Sequence, residues 1–595
     1  MNCPSRTNNP LDNPGWNQNP PLLTADLTTR QDLNGIANTR ERRRKQTGSN
    51  GLELDPIQDK SPRNVSEDVE DLHSVRKGVT GSAVTEQEAD LGEDANSGNV
   101  SSLPWQNHQS HTNDDGARSP WSFKPKGLVS RTVQTLRKFG QFIGPGFLIA
   151  VAYIDPGNYA TDVAAGAKTK YALLFVILMS NLFAIFLQSL CIKLGSVTGL
   201  NLAENCKAHL PKWLTILLYV FAESAIIATD IAEVVGSAIS LNLLFKIPLV
   251  AGCAITLVDV LVILIFYKPN GTMTAVRAFE FFVMALVLGV VVCFCIQLSL
   301  IKESSVGAVF RGYLPSATVV KDNGLYLSCG ILGATVMPHS IFLGSGVVQP
   351  RLKLFDINSG YTDPSIQDGS SDEDIKYRPS VHAIRACLKY SVVELALSLF
   401  TFALFVNSSI LIVAGASLSG SDAGEADLFG IYALLSNTIS PAAGTIFATA
   451  LLLSGISAGI VCTIAGQMVS EGMLNWRVAP WLRRLITRSI SIIPSIIIAA
   501  AVGKKGLNAT LTASQVVLSV ILPFVTAPLI YFTSRTRYMT VRTERRIGES
   551  NPESEIGEEV SMKNNWLVTI LGALIWLGIT IMNVALLVLV GQGKA

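Results

Sequence analysis

Two short polar stretches interrupt apolar runs and carry groups that could hold an ion. One reads Asp155-Pro156-Gly157-Asn158, the other Ala334-Thr335-Val336-Met337-Pro338-His339. Proline lacks a backbone donor and clashes with the preceding turn, so each stretch breaks a helix. The carbonyls freed there, such as those of Ala152 and Ala334, become oxygen ligands for a cation. Beside them stand a carboxylate (Asp155), an amide (Asn158) and a thioether (Met337). Hard oxygens suit Mn²⁺ and Fe²⁺, and a soft sulfur turns the choice away from Ca²⁺ and Mg²⁺, which take oxygen ligands. Second readings stay open: Asp155 as a cap on the half-helix that follows, Met337 as ordinary packing. Gln515, at the opening of a later apolar segment, is either a further oxygen ligand or an interfacial polar residue.

A second group of acids lies on one apolar segment. At 100° per residue, Glu223 and Asp230 lie about 20° apart and Glu233 about 60° from Asp230, so three carboxyls share one helix face. Such a face, with the titratable His339 elsewhere, is either a proton relay or a polar stripe satisfied by neighbouring helices. Asp259, Glu280 and Glu394 lie nearer segment ends or stand alone, which suits packing or pairing.

These groups must be positioned by membrane-spanning helices. The chain of 595 residues is 49% hydrophobic and 15% charged, well below the charge content of a soluble protein. The formal charge of +2 hides two parts. Residues 1–125 hold 13 Lys+Arg and 18 Asp+Glu, the remaining 470 residues 34 and 27. Residues 1–125 read as a disordered cytoplasmic tail. The tail carries a basic run, Arg42 to Lys45, and an acidic stretch, Glu67 to Asp71. Beyond the tail, apolar segments of spanning length fall at 140–160, 171–197, 213–240, 247–267, 277–300, 325–348, 388–415, 439–470, 486–503, 513–533 and 566–591. Lys and Arg are concentrated in the loops that a cytoplasmic N-terminus places inside, and the outer loop holding Asp422, Glu425 and Asp427 has neither.

The expected fold class is therefore an all-α polytopic membrane protein of about eleven transmembrane helices. The breaks fall in the first and sixth segments, five apart, the pattern of an inverted 5+5 repeat with one helix added. That divides the chain into the tail, a first repeat (126–300), a second repeat (301–533) and a cytoplasmic loop with an eleventh helix (534–595). The nine cysteines are scattered, mostly inside apolar runs, with no metal-ligand spacing. An apolar signal sequence is missing from residues 1–30, and HExxH and Walker A motifs are missing throughout. An enzyme of soluble type, and nucleic acid as a partner, are thus not expected. Asn508-Ala509-Thr510 is a glycosylation sequon placed in an outer loop.

Together, in order and on corresponding helices, the two breaks resemble the signature pair of the NRAMP family of proton-coupled divalent metal transporters. Further matches are Thr229-Asp230-Ile231-Ala232-Glu233, Ala465-Gly466-Gln467-Met468-Val469-Ser470-Glu471-Gly472 and Ser514-Gln515-Val516-Val517-Leu518-Ser519. The resemblance covers about 140–591, and the long polar tail is similar to that of fungal members. It implies a LeuT-like fold with a mid-membrane site ligated by Asp155, Asn158, Met337 and the carbonyls of Ala152 and Ala334, Gln515 joining in some states. It also implies proton-linked roles for His339, Glu223, Asp230 and Glu233, and for Arg484 or Arg488. One departure is Gly455-Ile456-Ser457, where the family usually has Gly-Gln-Ser.

The expected function is proton-coupled import of Mn²⁺ or Fe²⁺ into the cytosol, with metal and H⁺ as cargo and no resident cofactor. The expected setting is a plasma, endosomal or vacuolar membrane, with trafficking or ubiquitin-type regulators acting through the tail. The rivals are a Na⁺- or H⁺-coupled amino-acid or organic-solute symporter of the same fold, and a membrane metal sensor that does not transport.

Overall fold

The computed structural model describes residues 144–265, 273–301, 305–321, 323–362, 377–418, 427–474, 480–501, 503–543 and 557–592. The tail of 1–125, Asp422, Glu425, and the side chains of Asp259, Arg484 and Arg488 lie outside the described residues. The described part is all-α apart from one short hairpin.

The first segment is two half-helices, α1 (Pro145–Ala152) and α2 (Pro156–Thr169), joined through Tyr153 to Asp155. Then come α3 (Leu174–Thr198), a short α4 (Leu202–His209), α5 (Lys212–Phe245), α6 (Leu249–Ile265), α7 (Met273–Leu300) and α8 (Val306–Gly312). The sixth segment is also split, into α9 (Gly324–Thr335) and α10 (Pro338–Gly346), with α11 (Gln349–Asn358) continuing it. The seventh runs from α12 (Val381–Ser398) through one π turn, Leu399–Ala403, into α13 (Leu404–Ser417). After α14 (Leu428–Thr438) follow α15 (Pro441–Leu474), α16 (Pro480–Ala501) and α17 (Gly503–Ser534). Strands β1 (Thr540–Arg542) and β2 (Glu559–Ser561) pair antiparallel before α18 (Trp566–Gly591).

Eight helical stretches among the described residues are long and apolar enough to cross a membrane unaided. The expected first, fourth and ninth segments are helical but fall short of that measure. The first is split, α6 has 17 residues, and the apolar stretch of α16 among the described residues is Ile492–Ala501. Two expectations about the tenth segment need correction. Its helix starts at Gly503, ahead of the apolar run, because Lys504, Lys505 and Asn508 are polar without breaking a helix. Gln515 therefore sits mid-helix rather than at the opening, and the Asn508 sequon is helical rather than a loop.

Burial grades the helices from centre to rim. The membrane window of the sixth segment is 94% buried and that of α18 only 22%. The exposed face of α18, with Leu567, Leu574, Ile581 and Val588, is lipid-facing by its chemistry. The most extensive packing is between α5 and α15, with α2 against α13 and α9 against α17. Both broken segments lie in this inner group.

Candidate metal site

The two breaks have the same cause. In an intact helix the Ala152 carbonyl would accept the N–H of residue 156, and that of Ala334 the N–H of residue 338. Both are prolines, so neither donor exists. The chain turns out of the first helix at Tyr153 and re-enters with Asp155 as N-cap of α2. It leaves α9 at Val336 and re-enters α10 with Met337 as N-cap.

Asp155 and Asn158 close a knot around the first break. Asp155 accepts from the backbone N–H of Gly157 (3.2 Å) and Asn158 (2.9 Å) and from Asn158 Nδ2 (2.6 Å). Asn158 Nδ2 also donates to the Ala334 carbonyl at 3.1 Å, so one amide links the carboxylate of the first break to the freed carbonyl of the second. Asn407 of α13 donates to the Tyr153 carbonyl (3.0 Å), and Ser454 of α15 to the Ile154 carbonyl (2.7 Å). The whole group is buried. Among the described residues Asp155 meets only neutral donors.

Gln515 completes the cluster through two glycines. A Cβ at Gly157 would run into the Gln515 side-chain amide and Asp155 Oδ2, and a Cβ at Gly333 into the Gln515 backbone carbonyl. Small residues at both breaks thus admit α17 between them. Gln515 Nε2 donates to Ser514 Oγ (3.1 Å), and its buried Oε1 has no partner among the described residues. Met337 and Ala152 are buried at the breakpoints themselves.

The acids of α5 divide. Asp230 and Glu233 are buried with the Cys462 thiol of α15, their ligand atoms within 4.8 Å of one another. Glu223 lies two turns earlier, half-buried, and is not part of that group. His339 reaches α5 by another route, its Nδ1 lying 3.3 Å from Thr229 Oγ1 next to Asp230. His339 of the second break thus meets α5 at the residue preceding Asp230.

Several groups escape sequence reasoning. Gln188 of α3 donates to Tyr153 Oη (2.9 Å) and to the Ser340 carbonyl (2.9 Å) and hydroxyl (3.0 Å), tying the two breaks together beside the Asp155–Asn158 group. Asn407 and Gln188 are polar residues inside apolar helices, which is the available signal, but their partners are remote in sequence. Asp162, one turn beyond Asn158, is buried with neither carboxyl oxygen hydrogen-bonded among the described residues. Glu280 and Glu394 are paired, as expected, through Arg351.

Comparison with known proteins agrees with this architecture. The chain is 51% identical over 497 residues to the manganese transporter SMF1 of Saccharomyces cerevisiae, covering 76% of this chain and 86% of that one. It is 50% identical over 471 residues to the iron transporter SMF3 of the same organism, covering 77% and 97%. Among solved structures, the Eremococcus coleocola manganese transporter in complex with an aromatic bis-isothiourea compound aligns with a TM-score of 0.61 at 32% identity, over 76% of this chain and 86% of that one. Residues 146–548 match the family described as Natural resistance-associated macrophage protein-like. This multi-pass membrane chain belongs to the Nramp family.

Proposed function

We propose that the chain imports Mn²⁺ and Fe²⁺ into the cytosol by alternating access, driven by coupled H⁺ movement. One observation carries this reading. A buried carboxylate, a side-chain amide and a proline-freed carbonyl from two broken helices converge on one point, with no cationic side chain among the described residues to neutralise the acid. A bare carboxylate at membrane depth is costly, and a transported cation or a proton offsets that cost. The relatives' names as manganese and iron transporters support the choice of cargo.

In the proposed cycle Asp155, Asn158, Met337 and the carbonyls of Ala152 and Ala334 hold the metal, with Gln515 joining in some states. The Asn158 amide now donates its N–H groups to Asp155 and Ala334, standing in for the cation. Metal binding requires it to turn and offer Oδ1 instead. Protons pass by His339, Asp230 and Glu233, with Glu223 at the end of the same helix face. The N-terminus is cytoplasmic, in a plasma, endosomal or vacuolar membrane. Residues 1–125 form a regulatory tail ahead of the repeats 126–300 and 301–533, and 534–595 forms the cytoplasmic loop and eleventh helix.

The organic-solute symporter reading is disfavoured by a specific contact. A substrate carboxylate would need the free N–H groups of a half-helix, whereas Asp155 already occupies those of Gly157 and Asn158 at the start of α2. A sensor is separated from a transporter by flux. Purified protein in liposomes should accumulate labelled Mn²⁺ under an inward pH gradient, with acidification of the lumen. Binding without flux would establish the sensor.

A further inference from the structure

We propose that the start of α12 is a binding site for an anionic phospholipid, its acyl chain in a cleft beside the helix and its headgroup on Arg385 and Lys389. A cavity of about 340 Å³ lies between α12 and the strand end at Met562. Ile384, Leu388, Val392 and Val393 form its apolar helix wall, and Arg385 and Lys389 are its charged lining. Both cations are exposed.

The order of residues along α12 favours a lipid over any soluble anion. Positions 385, 389, 393, 397 and 400 follow one another at helical spacing on one stripe. The stripe begins with Arg385 and Lys389 and continues as Val393, Leu397 and Phe400, which are 47%, 49% and 51% exposed. On a membrane-spanning helix such a row of large exposed apolar groups meets acyl chains or another protein, and the cations ahead of it favour the lipid. Cationic and then apolar is the sequence of environments met on passing from headgroup into one leaflet. Lysine and arginine near that boundary attract anionic headgroups while their stems pack on apolar surface.

The opposite wall is fixed rather than induced. Met562 N–H donates to the Met539 carbonyl (2.7 Å), and Asn564 N–H to that of Thr533 (2.9 Å). Lys193 of α3 donates to Asn564 Oδ1 (2.7 Å). The strand end is thereby pinned to α17 and α3, and the cleft exists before a lipid arrives. It sits on a helix that matters to the breaks, since Glu394, five residues beyond Lys389, accepts from the N–H groups of Gly144 and Gly146 at the start of α1. Assignment to the cytoplasmic leaflet rests on the orientation proposed above. The binding test does not, and reads neither metal nor flux.

The test uses the full-length protein exchanged into nanodiscs of phosphatidylcholine with a minor fraction of phosphatidylserine, with retained lipid read by native mass spectrometry. Phosphatidylserine should be retained well above its bulk fraction. In R385Q/K389Q that retention should fall about fivefold for each cation lost, with phosphatidylcholine unchanged. Val392→Trp, which fills the cleft and keeps both cations, should lower retention of both lipids. This keeps the proposal testable if the double variant does not fold. Inorganic phosphate or soluble glycerophosphoserine should not displace the lipid. Equal retention of the two lipids by the native protein, unchanged phosphatidylserine in the double variant, or displacement by phosphate would each overturn the proposal.

Discussion

Asp155 and the Glu280–Glu394 pair are buried carboxylates in the membrane part of this protein that are matched in opposite ways. Glu280 of α7 and Glu394 of α12 share one guanidinium: Arg351 of α11 lies 3.0 Å from the first and 3.7 Å from the second. Glu394 spends its other oxygen on the N–H groups of Gly144 (2.6 Å) and Gly146 (3.1 Å). Charge there is answered within the fold, and four segments are bound together by it. Asp155 is equally buried but receives only neutral N–H donors. A buried carboxylate matched by a fixed cation is committed to structure. One matched only by dipoles retains an unanswered charge, which a mobile cation or proton can answer. Burial does not separate the two, since all three acids are almost fully enclosed. The sign of the neighbour does.

The largest expected effect tests that distinction directly. Asp155→Asn keeps the size of the side chain and an oxygen to cap α2 while removing the charge. Labelled Mn²⁺ uptake should fall by roughly 100-fold or more, the loss of about 3 kcal/mol of ion binding, with the melting temperature little changed. Retained uptake would reduce Asp155 to a helix cap and dissolve the contrast. The converse variant is Arg351→Ala. It strands two buried carboxylates and should cost about 3–5 kcal/mol of stability, seen as early unfolding in a thermal melt. Glu394→Gln keeps an oxygen for Gly144 and Gly146, so its cost should be smaller. Metal selectivity should be unaltered in any Glu394→Gln protein that folds.

How much of this was legible in sequence depended on whether the cause was local. The breaks were legible because a missing proline N–H is a property of one residue, and the same offset, Ala152 to Pro156 and Ala334 to Pro338, marks both. The acid, amide and freed carbonyls of the site followed from them. The structure brings Asp155, Asn158, Gln515 and the Ala334 carbonyl together, and places His339 against Thr229. The mid-helix place of Gln515 was not legible, because hydropathy falls at Lys504 and Lys505 while helical hydrogen bonding does not. Nor was the role of Arg351, which lies 71 residues from Glu280 and meets Gly144 both directly and through Glu394. Gln188 presents the same difficulty, as its partners come from both breaks. Pairings of this kind are set by which helices pack, and periodicity within one helix carries no trace of them.

Met337 gives a smaller and more selective test. A thioether adds little to the binding of a hard cation but penalises ions that demand oxygen alone. Met337→Ala should therefore retain Mn²⁺ uptake within severalfold while Ca²⁺ becomes a competitor about tenfold more effective, some 1.4 kcal/mol of lost discrimination. Equal losses for Mn²⁺ and Ca²⁺ would mean that the side chain only packs.

The same reasoning extends outside the membrane, where the expected effect is smallest. His209 ends α4, its ring centroid 4.7 Å from that of Tyr538 and 6.0 Å from that of Phe532. Partial burial, and after it the Arg537 guanidinium, hold its imidazole below the ordinary histidine range. Here the neighbour has the same sign as the charge the group would take. With the folded value lowered, the unfolded chain binds the proton more readily, so this contribution is fully present above about pH 6.5 and is lost as the pH falls from there through the lowered folded value. Between about pH 8 and about pH 5 the native melting temperature should drop slightly more than that of His209→Gln, which cannot titrate. A steeper drop in the variant would mean that the protonated ring is stabilised by a group of opposite sign, and the rule drawn from Asp155 and Arg351 would not extend to this surface.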